Sequence, residues 1–279
     1  MQPPCRTALI TGCSSGIGHA LAEQLAARGL TVYATARDPE TLADLAARGI
    51  RTDRLDVTDP DSVAAVRDRL RAAGERVELL VNNAGYGLMG PAVDIDPAEL
   101  RHQFEVNVFG LLRTTQAFAP DMADAGGGRV VNVSSISAVV PTPFAGAYCA
   151  SKAAVSALSD ALRMELAPFG VQVITLEPGG VRSRFGDTAR DRLALRDGSR
   201  YASITEAIER RASASQEGAT PTGEFARAAA EAMLRPRPRA VVRLGAHSRQ
   251  LPLLKRLLPN RVLDAVMARR FGLHQLNPR

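Results

Sequence analysis

Tyr148 and Lys152 stand four residues apart in the run Tyr-Cys-Ala-Ser-Lys. On a helix that interval is one turn, so both side chains share a face. A free phenol titrates at about 10. An ammonium beside it favours the phenolate and moves that value toward neutrality. The product is a proton donor or acceptor usable at physiological pH. The chain has two lysines, Lys152 and Lys255, against 33 arginines. A compact ammonium at position 152 does what the planar fork of Arg does not. A second group of residues lies near the N-terminus: Thr11-Gly12-Cys13-Ser14-Ser15-Gly16-Ile17-Gly18. Glycines let backbone approach a pyrophosphate, and a helix N-terminus offers free N–H groups and partial positive charge. The spacing is Gly-x-x-x-Gly-x-Gly, which differs from the commoner G-x-G-x-x-G.

These residues need elements to hold them. Ala8–Ile10 is a short apolar run, read as a buried strand, and 20–28 is helix-forming with Gly29 as its C-cap. Strand, glycine turn, helix is the context a dinucleotide loop requires. Further strands are expected at Thr31–Ala34, Arg51–Leu55, Leu79–Asn82, Arg129–Val133, Gln172–Leu176 and Ala240–Leu244. Amphipathic stretches lie between most of them, at Pro39–Arg48, Pro60–Ala73, Pro97–Ala125 and Ala147–Ala167. The alternation predicts an α/β fold, a parallel sheet with helices on both faces and ligands at the C-terminal strand ends. One interval departs from it. Residues 182–222 are polar, charged and interrupted by Gly186, Gly198 and Gly218, with helical pieces expected at Thr188–Leu195 and Thr205–Ala214.

Together these residues resemble the short-chain dehydrogenase/reductase family. The markers appear in order: the Thr11–Gly18 loop, Asn82-Asn83-Ala84-Gly85, Asn107, Ser135, Tyr148-x-x-x-Lys152 and Pro178-Gly179. Three phrases resemble its 17β-hydroxysteroid-dehydrogenase-like branch: Asn83-Ala84-Gly85-Tyr86-Gly87, Pro141-Thr142-Pro143-Phe144 and Glu177-Pro178-Gly179-Gly180. The resemblance implies a single doubly wound (Rossmann) domain over residues 1–245. Its seven-stranded parallel sheet would run 3-2-1-4-5-6-7, with 182–222 as a substrate lid. A homodimer or homotetramer is expected.

It also implies hydride transfer between a nicotinamide and a largely apolar ketone or secondary alcohol. Tyr148 would exchange the proton, and Ser135 would hydrogen-bond the same oxygen as an oxyanion donor. Lys152 would lower the Tyr148 pKa and hold the nicotinamide ribose, and Asn107 would bind a water leading to the lysine. Gly12, Ser14, Ser15, Gly16, Ile17 and Gly18 would meet the phosphates. Asp56 and Val57 would meet the adenine, Asn83, Ala84 and Gly85 its ribose, and Pro178, Gly179 and Val181 the carboxamide. The second strand ends in Ala36, where NAD-users place an acid, and Arg37 follows. That favours NADP(H) over NAD(H), because Arg suits a 2′-phosphate. Asp38 is read as the cap of the helix starting at Pro39. Pocket candidates are Leu88, Met89, Val139, Phe144, Gly180 and Phe185. A non-catalytic NADP(H)-binding sensor is the alternative, and it would be expected to lack Tyr148, Lys152 or Ser135.

Composition agrees with an ordinary globular protein: 279 residues, 46% hydrophobic and 23% charged. No apolar run approaches a membrane span. The first strand begins near Arg6, leaving no room for a signal peptide. Three cysteines show no metal spacing and no even disulfide set, so no metal is expected. They read as reduced thiols in a cytoplasmic protein. Net charge is +6, yet residues 235–279 carry +10 and the rest −4. In this basic C-terminal extension, 246–279, Leu254, Leu257, Leu258 and Val262 form a stripe at helical spacing. The stripe is expected to pack beside the lid or across a subunit contact, with peripheral membrane attachment secondary. Nucleic acid is not an expected partner, since aromatic residues are 4% of the chain and do not interleave the basic ones.

Overall fold

Short aliphatic and β-branched runs form the strands: β1 (Thr7–Thr11), β2 (Thr31–Ala36), β3 (Arg51–Arg54), β4 (Leu79–Asn82), β5 (Gly128–Val133), β6 (Val171–Pro178) and β7 (Val241–Leu244). The computed structural model describes residues 5–183, 185–186, 193 and 195–276. All seven strands pair in parallel, in the order β3-β2-β1-β4-β5-β6-β7. Every residue of β1 and β4 is buried, which is why residues 8–10 and 79–81 are apolar without alternation.

The helices are α1 (Gly16–Ala26), α2 (Ala43–Ala47), α3 (Pro60–Ala72), α4 (Pro97–Phe104), α5 (Gly110–Asp124), α6 (Gly146–Leu166), α7 (Thr205–Ser213), α8 (Thr222–Met233), α9 (Gln250–Leu257) and α10 (Asn260–Arg270). Three helical segments begin with Asp-Pro. Asp38, Asp59 and Asp96 accept the N–H of Glu40, Asp61 and Ala98 at 3.0, 2.9 and 2.7 Å. The following proline sits where no donor is needed. Asp38 is therefore a cap, and it does not pair with Arg37. The stretch read as one helix over Pro97–Ala125 is broken into α4 and α5 by a π turn at Glu105–Phe109. A π turn adds a residue to the helical ring and re-aims its side chains.

Successive strand residues serve opposite layers. Ile10, Val81 and Val131 pack with Leu21 and Leu25 of α1 and Phe225 and Met233 of α8. Leu9, Leu80 and Val130 pack with Val66 of α3 and Phe118 and Met122 of α5. A buried polar network runs through the second layer. Asn82 donates to Thr115 Oγ1 and Asn132 Oδ1, both at 2.9 Å, and Asn132 donates to Ser159 Oγ at 2.9 Å. It fixes the spacing of β4, β5, α5 and α6.

A third apolar cluster joins the 182–222 interval to the C-terminal helices. Ile204 and Ile208 pack with Phe144 and with Leu263, Met267 and Phe271 from α10 and the turn after it. Lys255 Nζ donates to the Val139 carbonyl at 2.6 Å. The face that packs is not the expected stripe. Leu254 and Val262 are exposed and Leu257 is 69% exposed, because the turn at Pro259 directs Leu263 and Met267 inward instead. The helical piece expected at 188–195 lies, apart from Leu193 and Leu195, outside the described residues. Burying Leu263, Met267 and Phe271 contributes about 1.5–3 kcal/mol each. Truncation after Ala246 should therefore lower the melting temperature by about 10 °C. An unchanged calorimetric transition would contradict this packing.

Candidate active site

A cavity of about 480 Å³ takes lining residues from the C-terminal end of every described strand, among them Gly12, Arg37, Asp56, Asn83, Ser135, Gly179 and Ala246. At its floor α6 presents Tyr148 and Lys152 from successive turns. Lys152 is 5% exposed, and its Nζ donates to the Val133 carbonyl at 2.8 Å. Ser134 ties the same helix to the strand end by donating to the Lys152 carbonyl at 2.9 Å. Ser135 Oγ accepts from Ser137 N–H at 3.1 Å and also hydrogen-bonds the Tyr148 hydroxyl. It is at once the cap of a short turn and a group facing the cavity.

The charge state differs from the simple pairing of phenol and ammonium. Burial pushes the Tyr148 phenol up to about 12, against the opposing effects of the Ser135 hydrogen bond and the Arg211 charge. Burial pulls Lys152 down to about 8. A side chain that is 8% exposed loses more by desolvating its phenolate than these neighbours return.

Asn107 does not line the cavity. The π turn points it inward, where Oδ1 accepts from Tyr86 N–H at 3.0 Å and Nδ2 donates to the Tyr86 carbonyl at 2.9 Å and to Ser151 Oγ at 3.0 Å. Asn107 thereby clamps the segment after β4 onto α6. Gly85 fits between them: a Cβ there would lie 3.0 Å from Asn107 Oδ1 and 3.4 Å from Lys152 Nζ.

At the other end of the cavity lie Ser14, Ser15, Gly16 and Ile17. Gly12 and Gly16 have φ of +73° and +61°, conformations that side chains resist. Ser15 occupies the N-cap of α1 without capping it through its side chain, so the first-turn N–H groups are left available to an anion. Gly18 stays outside the lining. A Cβ on it would sit 2.4 Å from both Asn83 Nδ2 and the Gly12 carbonyl, so it serves close packing of turn against helix. Asn83 donates to the Thr11 and Gly12 carbonyls at 3.0 and 2.9 Å, and Thr11 Oγ1 accepts from Asn83 and Ala84 N–H. Arg37 is exposed at the cavity edge and forms no ion pair among the described residues. Burial opposes ionisation of Asp56, but hydrogen bonds from Thr58 and the charges of Arg37 and Arg54 outweigh it and hold the carboxyl below its usual range. These residues fit a dinucleotide with an anionic group at the Arg37 end.

Ala84, Val57, Pro178, Gly179 and Val181 line the cavity, as do Met89, Gly180 and Phe185. The Phe185 ring lies 5.2 Å from that of Tyr148. Leu88, Val139 and Phe144 do not line it; Phe144 and Val139 belong to the lid cluster. Val140, Thr142, Arg211, Gln216, Leu251, Met267 and Phe271, none of them expected in the pocket from the sequence, complete the wall. Most come from the lid and C-terminal extension, where no motif marks them. Arg211 had one signal, since it falls on the same helical face as Ala207, Ile208 and Ala212. Among the described residues no cluster has metal-binding composition, and no helix is long and apolar enough to cross a membrane.

A family model described as short chain dehydrogenase matches residues 6–194. An NADPH-dependent 1-acyldihydroxyacetone phosphate reductase of Schizosaccharomyces pombe is 44% identical over 178 residues, 63% of this chain and 60% of the reductase. The 17-beta-hydroxysteroid dehydrogenase type 1 of Homo sapiens is 43% identical over 189 residues, 63% of this chain and 57% of that enzyme. The chain thus spans less than two thirds of either relative. The solved structure of a short-chain dehydrogenase from Streptomyces avermitilis matches with a TM-score of 0.78 and 35% identity, covering 97% of each chain.

The charge state of the phenol is open to test. In ultraviolet difference spectra of wild type against Tyr148→Phe, no phenolate signal should appear up to the ordinary tyrosine value of about 10. A Tyr148-dependent midpoint near neutrality would show that burial does not dominate.

Proposed function

The chain belongs to the short-chain dehydrogenase family, and we propose that it is an NADP(H)-dependent oxidoreductase interconverting a ketone and a secondary alcohol, with Tyr148 as its acid–base group. One observation carries the reading. Tyr148, Ser135 and Lys152 converge on the wall of a single cavity whose far end holds the open N-terminus of α1. When bound, NADP(H) supplies or accepts the hydride. The chain's own residues do the rest.

In reduction, Ser135 Oγ would donate to the carbonyl oxygen and stabilise the charge that develops on it. Tyr148 would give that oxygen its proton. A buried, neutral phenol is in the correct state for this step. Alcohol oxidation needs the phenolate, which the Lys152 charge favours. That charge is lost as pH rises through about 8. Lys152 is also the donor available to ribose hydroxyls. Asn107 acts through others, as a positioning residue that holds the Tyr86 backbone and Ser151.

The cofactor preference rests on Ala36 and Arg37. No carboxylate ends β2 to accept a ribose 2′-hydroxyl, and the exposed Arg37 has no ion-pair partner among the described residues, which suits a 2′-phosphate. The S. pombe relative, an NADPH-dependent reductase, supports the same choice. Met89, Phe185, Leu251 and Met267 on the cavity wall support a largely apolar substrate. Three buried free cysteines suit a reducing, cytoplasmic setting. Phe109 and Met164, 52% and 64% exposed on the α4–α6 side, suit assembly with further copies of the chain.

Tyr148→Phe should bind NADPH as wild type does and lose about 10² to 10⁴ in turnover. Arg37→Ala should lower the ratio of kcat/KM for NADPH over NADH by about tenfold or more. Wild-type turnover by Tyr148→Phe would overturn the mechanism. A wild-type preference for NADH, or a ratio that Arg37→Ala leaves unmoved, would overturn the cofactor assignment.

A further inference from the structure

Arg211 is a buried charge that no acid among the described residues pairs with. It sits on α7 among Ala207, Ile208 and Ala212 and is 7% exposed. Arginine is seldom buried to that degree unless paired. Its Nε donates to Thr142 Oγ1 at 2.8 Å, and its guanidinium lies 5.4 Å from the centre of the Phe271 ring. The N–H donors of its two terminal nitrogens meet no acceptor among the described residues. They belong to a side chain that lines the same cavity as Tyr148 and Ser135.

The surroundings add charge of the same sign. Arg270, on the cavity rim, approaches the Phe271 ring to 5.8 Å. Glu217 also lines the cavity, but it is exposed and pairs with neither arginine among the described residues. Moving a cation out of water without a partner is costly. A guanidinium fork whose outer donors are free is shaped for an oxyanion, which it can hold through two parallel hydrogen bonds. Carboxylate and phosphate monoester share that chemistry. Val140, Leu251 and Met267 on the same wall offer apolar surface to the rest of such a molecule.

We propose that Arg211 is a specificity-determining residue, and that the substrate is a ketone or secondary alcohol bearing an anionic group, a carboxylate or a phosphate monoester, which Arg211 binds. The proposal rests on the oxidoreductase reading above for the reacting carbonyl, and on the Arg211 site alone for the anion.

Two series of probes test it. One is a set of oxodecanoates with the ketone at successive positions, each against its methyl ester. The other is 2-oxodecyl phosphate against 2-decanone. With NADPH, wild type should favour the best-placed anion over its neutral partner by about 100-fold in kcat/KM. In Arg211→Met that ratio should fall close to one, and Arg211→Lys should recover part of it. A ratio above about tenfold in either series supports the proposal and identifies the oxyanion. Ratios near one in both series in wild type, or a ratio that survives in Arg211→Met, overturn it.

Calorimetric binding of decanoate and decyl phosphate, with methyl decanoate and decanol as controls, gives a second reading on wild type that needs no variant. Equal binding of anions and controls there also overturns the proposal. Tyr148→Phe separates the two claims. If anions bind selectively but Tyr148→Phe and wild type turn over every ketone alike, the anion site stands and the proposed role of Tyr148 falls.

Discussion

The layout of the site depends on one buried ammonium. Lys152 Nζ is held by the carbonyl at the end of β5, and a charge in that position constrains everything within reach of it. Ser134 must fasten α6 to β5 from the other side. On the β4 side stands Gly85, where a Cβ would sit tightly against Asn107 Oδ1 and in contact with the lysine. The helix opposite opens into a π turn, from which Asn107 holds the Tyr86 backbone. Deeper in the layer, the Asn82–Asn132–Ser159 network sets the distance between β4, β5 and α6 with hydrogen bonds that aliphatic packing would not specify.

The same burial governs the chemistry. It raises the phenol and lowers the ammonium, so the two titrate further from each other's needs than their spacing on a helix implies. In the free protein the phenol therefore remains a proton donor near neutral pH. The lysine sits close enough to neutrality that its charge responds to modest changes in pH. Near the lid, Arg211 is a second buried cation, and burial lowers its pKa as well, against the opposing influence of Cys149 and Tyr148.

Much of this was legible in the residues. Apolar runs such as Leu79–Asn82 marked strands because a doubly covered parallel sheet leaves no polar face. Tyr148 and Lys152 marked a helix face because their spacing is one turn. Arg51–Leu55 was nearly right, the pairing with β2 ending at Arg54. What escaped notice has physical reasons. The π turn aims Asn107 inward at Tyr86 and Ser151, contacts that local propensity does not encode. The tail stripe at Leu254, Leu257 and Val262 had the correct period, yet the turn at Pro259 gave the lid Leu263 and Met267 instead. Phe144, expected in the pocket, takes φ of +61° and turns into the apolar cluster beside Tyr201. Arg211 could have been noticed as a charge on the apolar face of its helix. Its setting depends on Thr142 and Phe271, far away in sequence.

That burial holds the Lys152 ammonium close to neutrality can be measured directly. The chain has two lysines, so lysine labelled at Nζ gives two signals by nuclear magnetic resonance, and Lys152→Met assigns them. The Lys152 signal should titrate near pH 8, as its burial requires. A Lys152 signal that titrates at the ordinary lysine value of about 10.4 would contradict it.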